Sequence, residues 1–148
     1  RWKDGPVKFR AQAQYNNIGA TSTTTESAWS ASAAALHDSG LNGALAYGRG
    51  KGDGDTPGAV DPRFWALDAG YRAKIFGVGS TNFSFNSNQS ESVAVENDDA
   101  SSLGFTIAQM FNPVGANMAV SYKNYAYDVL DQTFEDIDVL SLQTVFKF

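Results

Sequence analysis

Few residues in this sequence are of the kinds that carry out covalent chemistry, and their spacing argues against most of it. His37 is the single histidine and cysteine is absent, so neither a His-based metal cluster, a thiolate site nor a disulfide framework can be assembled. His37 stands beside Asp38 and Ser39. Nothing near this pair suggests an oxyanion hole, and it reads as the polar surface of a turn. Gly48-Arg49-Gly50-Lys51-Gly52 is glycine-rich but lacks the spacing of a phosphate-binding loop, and no helical pattern follows it. Gly52-Asp53-Gly54-Asp55 begins like a calcium-binding loop but lacks the later ligands and the distal glutamate. The sequence therefore reads as that of a non-enzyme with no cofactor and no metal site.

The remaining charges are sorted rather than scattered. Lys8, Arg10, Arg72, Lys74, Lys123 and Lys147 lie in segments of alternating polarity, with Asp68 as the one acid among them. The acids Asp53, Asp55, Asp61, Glu91, Glu96, Asp98, Asp99, Asp128, Asp131, Glu135 and Asp136 lie in or beside polar connecting stretches. They form either a solvated surface or a repulsive, cation-bridging rim. The formal net charge of −5 argues against nucleic acid as a partner.

The elements that would position these charges are strands. At 148 residues, 43% hydrophobic and 13% aromatic, the chain is expected to form one domain over 1–148. No apolar run approaches the roughly 20 residues of a membrane-spanning helix; the longest candidate is Ala31-Ser32-Ala33-Ala34-Ala35-Leu36. Period-two alternation dominates instead. In Val7-Lys8-Phe9-Arg10-Ala11-Gln12-Ala13-Gln14-Tyr15 every odd position is apolar and every even one polar, which gives a strand one apolar and one polar face. The same alternation predicts strands over 63–76, 80–88, 101–111, 116–127 and 138–148. Weaker patterns add 26–37, which is alanine-rich and could also be read as a helix, and 41–49. Arg1-Trp2-Lys3-Asp4-Gly5-Pro6 reads as a turn.

Connection lengths are expected to alternate. Tight turns fall at Asp38-Ser39-Gly40, Gly77-Val78-Gly79-Ser80 and Asn112-Pro113-Val114-Gly115, and longer polar loops at 16–25, 50–62, 90–100 and 128–137. Outer-membrane β-barrels sort their connections in this way, with short periplasmic turns and long external loops. With that orientation, Tyr15, Trp29, Tyr47, Trp65 and Tyr122 fall toward the long-loop ends, and Phe9, Phe111, Phe146 and Phe148 toward the tight turns. Two aromatic girdles are what the two membrane interfaces favour.

The ending Leu140-Ser141-Leu142-Gln143-Thr144-Val145-Phe146-Lys147-Phe148 resembles the C-terminal strand of Gram-negative outer-membrane porins of the trimeric, general-diffusion type. Gly104-Phe105-Thr106-Ile107-Ala108-Gln109 and Ala119-Val120-Ser121-Tyr122-Lys123-Asn124-Tyr125 resemble the last hairpins of that family. The likeness is best over about the last 50 residues. Thr144, where a larger apolar residue is usual, departs from the pattern. The resemblance implies a 16-stranded antiparallel up-and-down transmembrane β-barrel of which this chain is the C-terminal half. It implies a homotrimer passing small hydrophilic solutes, in contact with lipid and lipopolysaccharide. It also implies an assembly signal at Leu140, Leu142, Phe146 and Phe148 read by the barrel-assembly machinery.

If the apolar face meets lipid, the expected pore-lining residues are Lys8, Arg10, Asp68, Arg72, Lys74 and Lys123. An eight-stranded barrel is filled by its own side chains, and this many cations beside one carboxylate would leave charges buried and unpaired. The small residues Ser30, Ser32, Ala44, Ala46, Gly48, Gly70, Gly104 and Ala108 would add voids. A wide, water-filled pore with further strands before Arg1 avoids both problems. Two alternatives remain: a complete eight-stranded barrel acting as anchor or adhesin, and a soluble carbohydrate-binding β-sandwich.

Overall fold

A computed structural model of the protein describes residues 2–17, 25–52, 58–130 and 132–146. The chain is all-β. Among these residues ten strands are formed: β1 (Trp2–Asp4), β2 (Val7–Asn17), β3 (Thr25–His37), β4 (Leu41–Gly52), β5 (Arg63–Ala73), β6 (Thr81–Glu91), β7 (Asp98–Phe111), β8 (Ala116–Val129), β9 (Gln132–Thr133) and β10 (Ile137–Phe146). They make one antiparallel up-and-down sheet in the order β1-β2-β3-β4-β5-β6-β7-β8-β10, with β9 paired to the loop end of β8. All eight expected strands are present, including the alanine-rich β3, which pairs along both edges. A helix there would have left the backbone groups of β2 and β4 without partners.

Several boundaries differ from the sequence reading. Trp2–Asp4 is a strand paired to β2, and the turn is confined to Gly5-Pro6; three residues are too few to show a period. Strand β5 ends at Ala73, so the connection to β6 runs over 74–80, whereas the connection from β6 to β7 is only 92–97. Connection lengths are therefore not strictly sorted by end. The apolar residues Ile75 and Phe76 prolong the alternation past the point where β5 has a partner, and the polar ends of β6 and β7 pair without displaying one.

The sheet is a single layer. Along its apolar side the ladder aligns Phe9, Ala35, Gly43, Ala69, Phe85, Phe105, Tyr122 and Leu140 in one continuous row. Ala116 is the one buried hydrophobic residue among those described, whereas Phe9, Leu45, Leu67, Phe105, Val120 and Leu142 are exposed. At about 1.5–3 kcal/mol per large side chain, covering this side is worth on the order of tens of kcal/mol.

The strands are staggered in a regular way. The last pair of the β3–β4 hairpin, Leu36 with Asn42, belongs to a row that runs on through Gly70 and Ser84. Strands β5 and β6 continue three residues beyond that row, to the pair Ala73–Thr81. The Ala73–Thr81 row runs on through Gln109 and Met118, and β7 and β8 continue two residues further, to Phe111–Ala116. The turn ends thus slip by five residues over four strands. With about 3.3 Å per residue and about 4.8 Å between strands, the strands lean about 40° from the line perpendicular to their turn ends. A lean of this size is what closing a sheet into a barrel requires. Here, residues 10–16 of β2 and 137–145 of β10 have no strand partner on their outer edges among the described residues, so the described sheet is open.

Neighbouring hairpins are stitched together at their turns. The Asp38 amide donates to the Pro6 carbonyl at 2.8 Å and the Arg72 amide to the Gly40 carbonyl at 3.0 Å. Gly40 has φ +94°, and a side chain there would overlap the Arg72 carbonyl. Gly40→Ala combines an unfavourable backbone conformation with a backbone clash, and is expected to destabilise the sheet by about 1–3 kcal/mol. The denaturant midpoint of the folded protein, followed by circular dichroism, should fall accordingly; an unchanged midpoint would show that the turn is not held by this contact.

Candidate functional site

The polar side of the sheet is its hollow side. A hollow of about 910 Å³ on this side is lined by Lys8, Arg10, Asn42, Asp68, Arg72 and Asn82 among others. It exists because the positions between these residues are small: Arg10 and Asp68 share a ladder row in which Ala34 and Ala44 are the intervening residues. Gly70 lies one polar-side position from Asp68 and removes a further side chain. Arg72 is steadied by its Nε–H, which donates to Asn82 Oδ1 at 2.7 Å, and Arg10 Nη2 donates to Gln12 Oε1 at 3.3 Å. Neither cation has an acidic partner, and the same holds for Lys8 and Lys123 among the described residues.

The register settles which of the expected residues share this face. Lys8 and Arg10 on β2, Asp68 and Arg72 on β5, and Lys123 on β8 all project to the polar side. Lys74 does not belong with them. It lies one residue past β5, exposed in the 74–80 connection, because the strand loses its partner before it. Lys147 and Phe148 lie outside the described residues, as do Asp53 and Asp55; Leu140, Leu142 and Phe146 stand on the apolar side of β10.

The polar side is not uniformly polar. Strand β10 presents Ile137, Val139 and Val145 to it, and β8 adds Tyr125 and Tyr127, the latter stacked on Phe134 at 5.8 Å between ring centroids. Phe64 lies over Gly48, where a Cβ would collide with the ring. Sequence alternation assigns β10 an apolar face from Leu140, Leu142 and Phe146, and passes over the opposite one; the valines and Ile137 were the available signal.

On the apolar side, the aromatic rings occupy a staggered line. Tyr15 pairs with Trp29, and Tyr47 with Trp65 two residues nearer the turns. Tyr122 lies further along still, at mid-strand in β8, with its hydroxyl donating to Asp138 Oδ1 at 2.7 Å. This is the slip of the turn ends repeated in side chains. Trp29 and Tyr47 meet at 5.4 Å, and Trp65 Nε1–H donates to Gln89 Oε1 at 3.0 Å. Each ring thus has apolar surface with a polar partner or the sheet margin beside it. Phe111 and Phe146 flank Ala116 in one row at the turn end.

At the loop end the cations are paired: Arg49 with Asp61 at 3.2 Å, Lys51 with Glu26 at 3.6 Å, and Arg63 with Glu91. Asp98, buried, accepts from the Val93 amide at 2.6 Å, the Ala94 amide at 2.9 Å and the Tyr127 hydroxyl at 3.3 Å, and so closes the 92–97 connection. His37 accepts from or donates to the Ser39 hydroxyl at 2.8 Å, an exposed turn contact with no third member. No group of three or more potential metal ligands occurs among the described residues. No protein-family model, no curated protein and no solved structure matches this chain.

Two predictions attach to the loop end. The Gly52 amide, donating at 2.9 Å, holds the Asp61 carboxyl below its ordinary value of 3.8 against a smaller desolvation effect, with Arg49 and Lys51 adding to the pull. A carboxyl lowered on folding contributes stability above its unfolded value and loses it as pH falls through the folded one. Protection of the Gly52 amide from hydrogen exchange should therefore hold above about pH 4 and decline below it, and Asp61→Asn should abolish that pH dependence. Asp98→Ala removes charge-assisted hydrogen bonds worth about 1.5–3 kcal/mol each. Limited proteolysis should then cut within 92–97, and a connection as resistant as the original would show that the carboxylate is dispensable.

Proposed function

We propose that this chain is wall of a bacterial outer-membrane porin, a water-filled channel for passive diffusion of small hydrophilic solutes and ions. The observation that carries the proposal is a single-layer, staggered sheet with an uncovered apolar side and a hollow polar side bearing cations without acidic partners among the described residues. A soluble sandwich would have to cover the apolar side with a second sheet, and no described residue packs against it. Lipid would cover it without any further protein, and the aromatic rings along its loop margin suit a membrane interface. The lean of about 40° also matches the tilt of membrane barrels.

In this reading the open edges at β2 and β10 are closed by further strands, the 16-stranded trimeric arrangement being the form that the resemblance implies. The long-loop ends face outward, and the turns face the periplasm. A second reading has a basis in the topology, because β2 and β10 run antiparallel and could join directly into an eight-stranded barrel. That barrel would bury Lys8, Arg10, Arg72 and Lys123 with Asp68 in a filled interior, at several kcal/mol per unpaired charge. Hydration in a wide pore removes that cost.

The reading predicts that the protein needs detergent to stay in solution and migrates differently on gels before and after heating. Reconstituted into planar bilayers, it should show stepwise increases of conductance as single channels insert. A folded protein that stays soluble without detergent would end the membrane reading. One that inserts but conducts nothing would favour the narrow barrel.

A further inference from the structure

Resting on the pore reading, we infer that this wall makes the channel electrically polar along its axis, so that it rectifies ion current. The charges divide by height. At the turn end, Lys8 and Arg10 lie one and three residues after Val7, the first residue of β2, while Arg72 lies one residue before the end of β5 and Lys74 one beyond it. Asp68, on the same polar side and five residues from the end of β5, and Asp38 in the adjacent turn offset part of this charge. At the loop end, Arg49, Lys51 and Arg63 are each neutralised by a carboxylate. Glu96, Asp98 and Glu135 there have no cationic partner among the described residues, while Asp99 and Asp128 stand on the apolar side of the sheet and Asp136 accepts from Asn124 of that side. One mouth therefore carries an excess of positive charge and the other an excess of negative charge, in a chain whose net charge of −5 would not suggest a positive end at all.

The separation is large enough to matter. The 11 residues of β2 span about 36 Å along the strand and, leaning by about 40°, about 28 Å of height. That exceeds the Debye length of about 10 Å in 0.1 M salt, so the two mouths act as separate charged regions in series. When the loop side is held positive, cations enter through the acidic mouth and anions through the basic one, and both accumulate within the pore. Reversing the voltage withdraws both and depletes it. Current is larger in the first direction.

The test is a current–voltage curve of the protein purified in detergent and inserted from one side of a planar bilayer. In symmetric 0.1 M KCl the ratio of currents at opposite polarities should be about two, corresponding to a mouth-to-mouth potential on the order of kT. It should fall toward one in 1 M KCl, where the Debye length is about 3 Å. Neutralising the basic mouth with Lys8→Gln, Arg10→Gln and Arg72→Gln together should remove most of the asymmetry and shift the reversal potential in a salt gradient toward potassium. The charge-preserving set Lys8→Arg, Arg10→Lys and Arg72→Lys should keep both properties, which separates an electrostatic effect from a damaged fold. Channels with a linear curve at low salt, or with asymmetry untouched by the neutral set, would overturn the inference while leaving the pore intact. Inserted protein without any conductance would overturn the pore and the inference together.

Discussion

Everything in this molecule depends on the obligation of backbone amides and carbonyls to pair sideways. Few other devices are available to it: among the described residues there is no α-helix and almost no buried apolar core, and the chain has no disulfide. Each strand satisfies its peptide groups on its sequence neighbours, and the pleat then sends side chains alternately to the two sides. Register converts that alternation into surfaces. A slip of one residue between two strands would exchange their apolar and polar faces, so the uninterrupted row from Phe9 to Leu140 requires every ladder to be in step.

The stagger adds a second coordinate to this arrangement. Residues on one ladder row are at different heights, because the strands lean relative to the turn ends. Arg10, Asp68 and Lys123 share a row, yet Arg10 lies close to its turn, Asp68 five residues from the end of β5, and Lys123 seven residues from the start of β8. Residues three strands apart on different rows, such as Arg10 and Arg72, come to similar heights. The same geometry brings Tyr15, Tyr47 and Tyr122 to the upper margin of the apolar side, although they lie at different depths within their own strands.

Much of this was legible in the order of residues. The long strands declare themselves by alternation, and even β3, whose alanines suit a helix in isolation, is settled by the requirement that its neighbours have partners. Facing was equally legible: Lys8, Arg10, Asp68, Arg72 and Lys123 lie on one side because parity along each strand demands it. What escaped was whatever depends on a partner's extent. Lys74 continues the pattern of β5 in sequence but not in pairing, and Asp98 looks like a loop acid until its carboxylate is seen gathering the amides of Val93 and Ala94. Trp2–Asp4 and Gln132–Thr133 are too short to carry a period. The apolar second face of β10 was hidden by the more regular first one.

The nearest-neighbour strand order also bears on how the sheet comes into being. Every pairing joins segments adjacent in sequence, save that the two-residue β9 stands between β8 and β10, so each step of growth closes only one short connection and costs little chain entropy. The sheet can zip up hairpin by hairpin, and topologies with such local contacts fold without a slow search. The last strand is the exception. β10 has apolar side chains on both faces and, over 137–145, no strand partner on its outer edge among the described residues, so this edge, unlike that of β2, is adhesive on both sides of the sheet. Such an edge can join whatever strand it meets first, so the feature that lets the sheet be extended also makes it a hazard for aggregation in water.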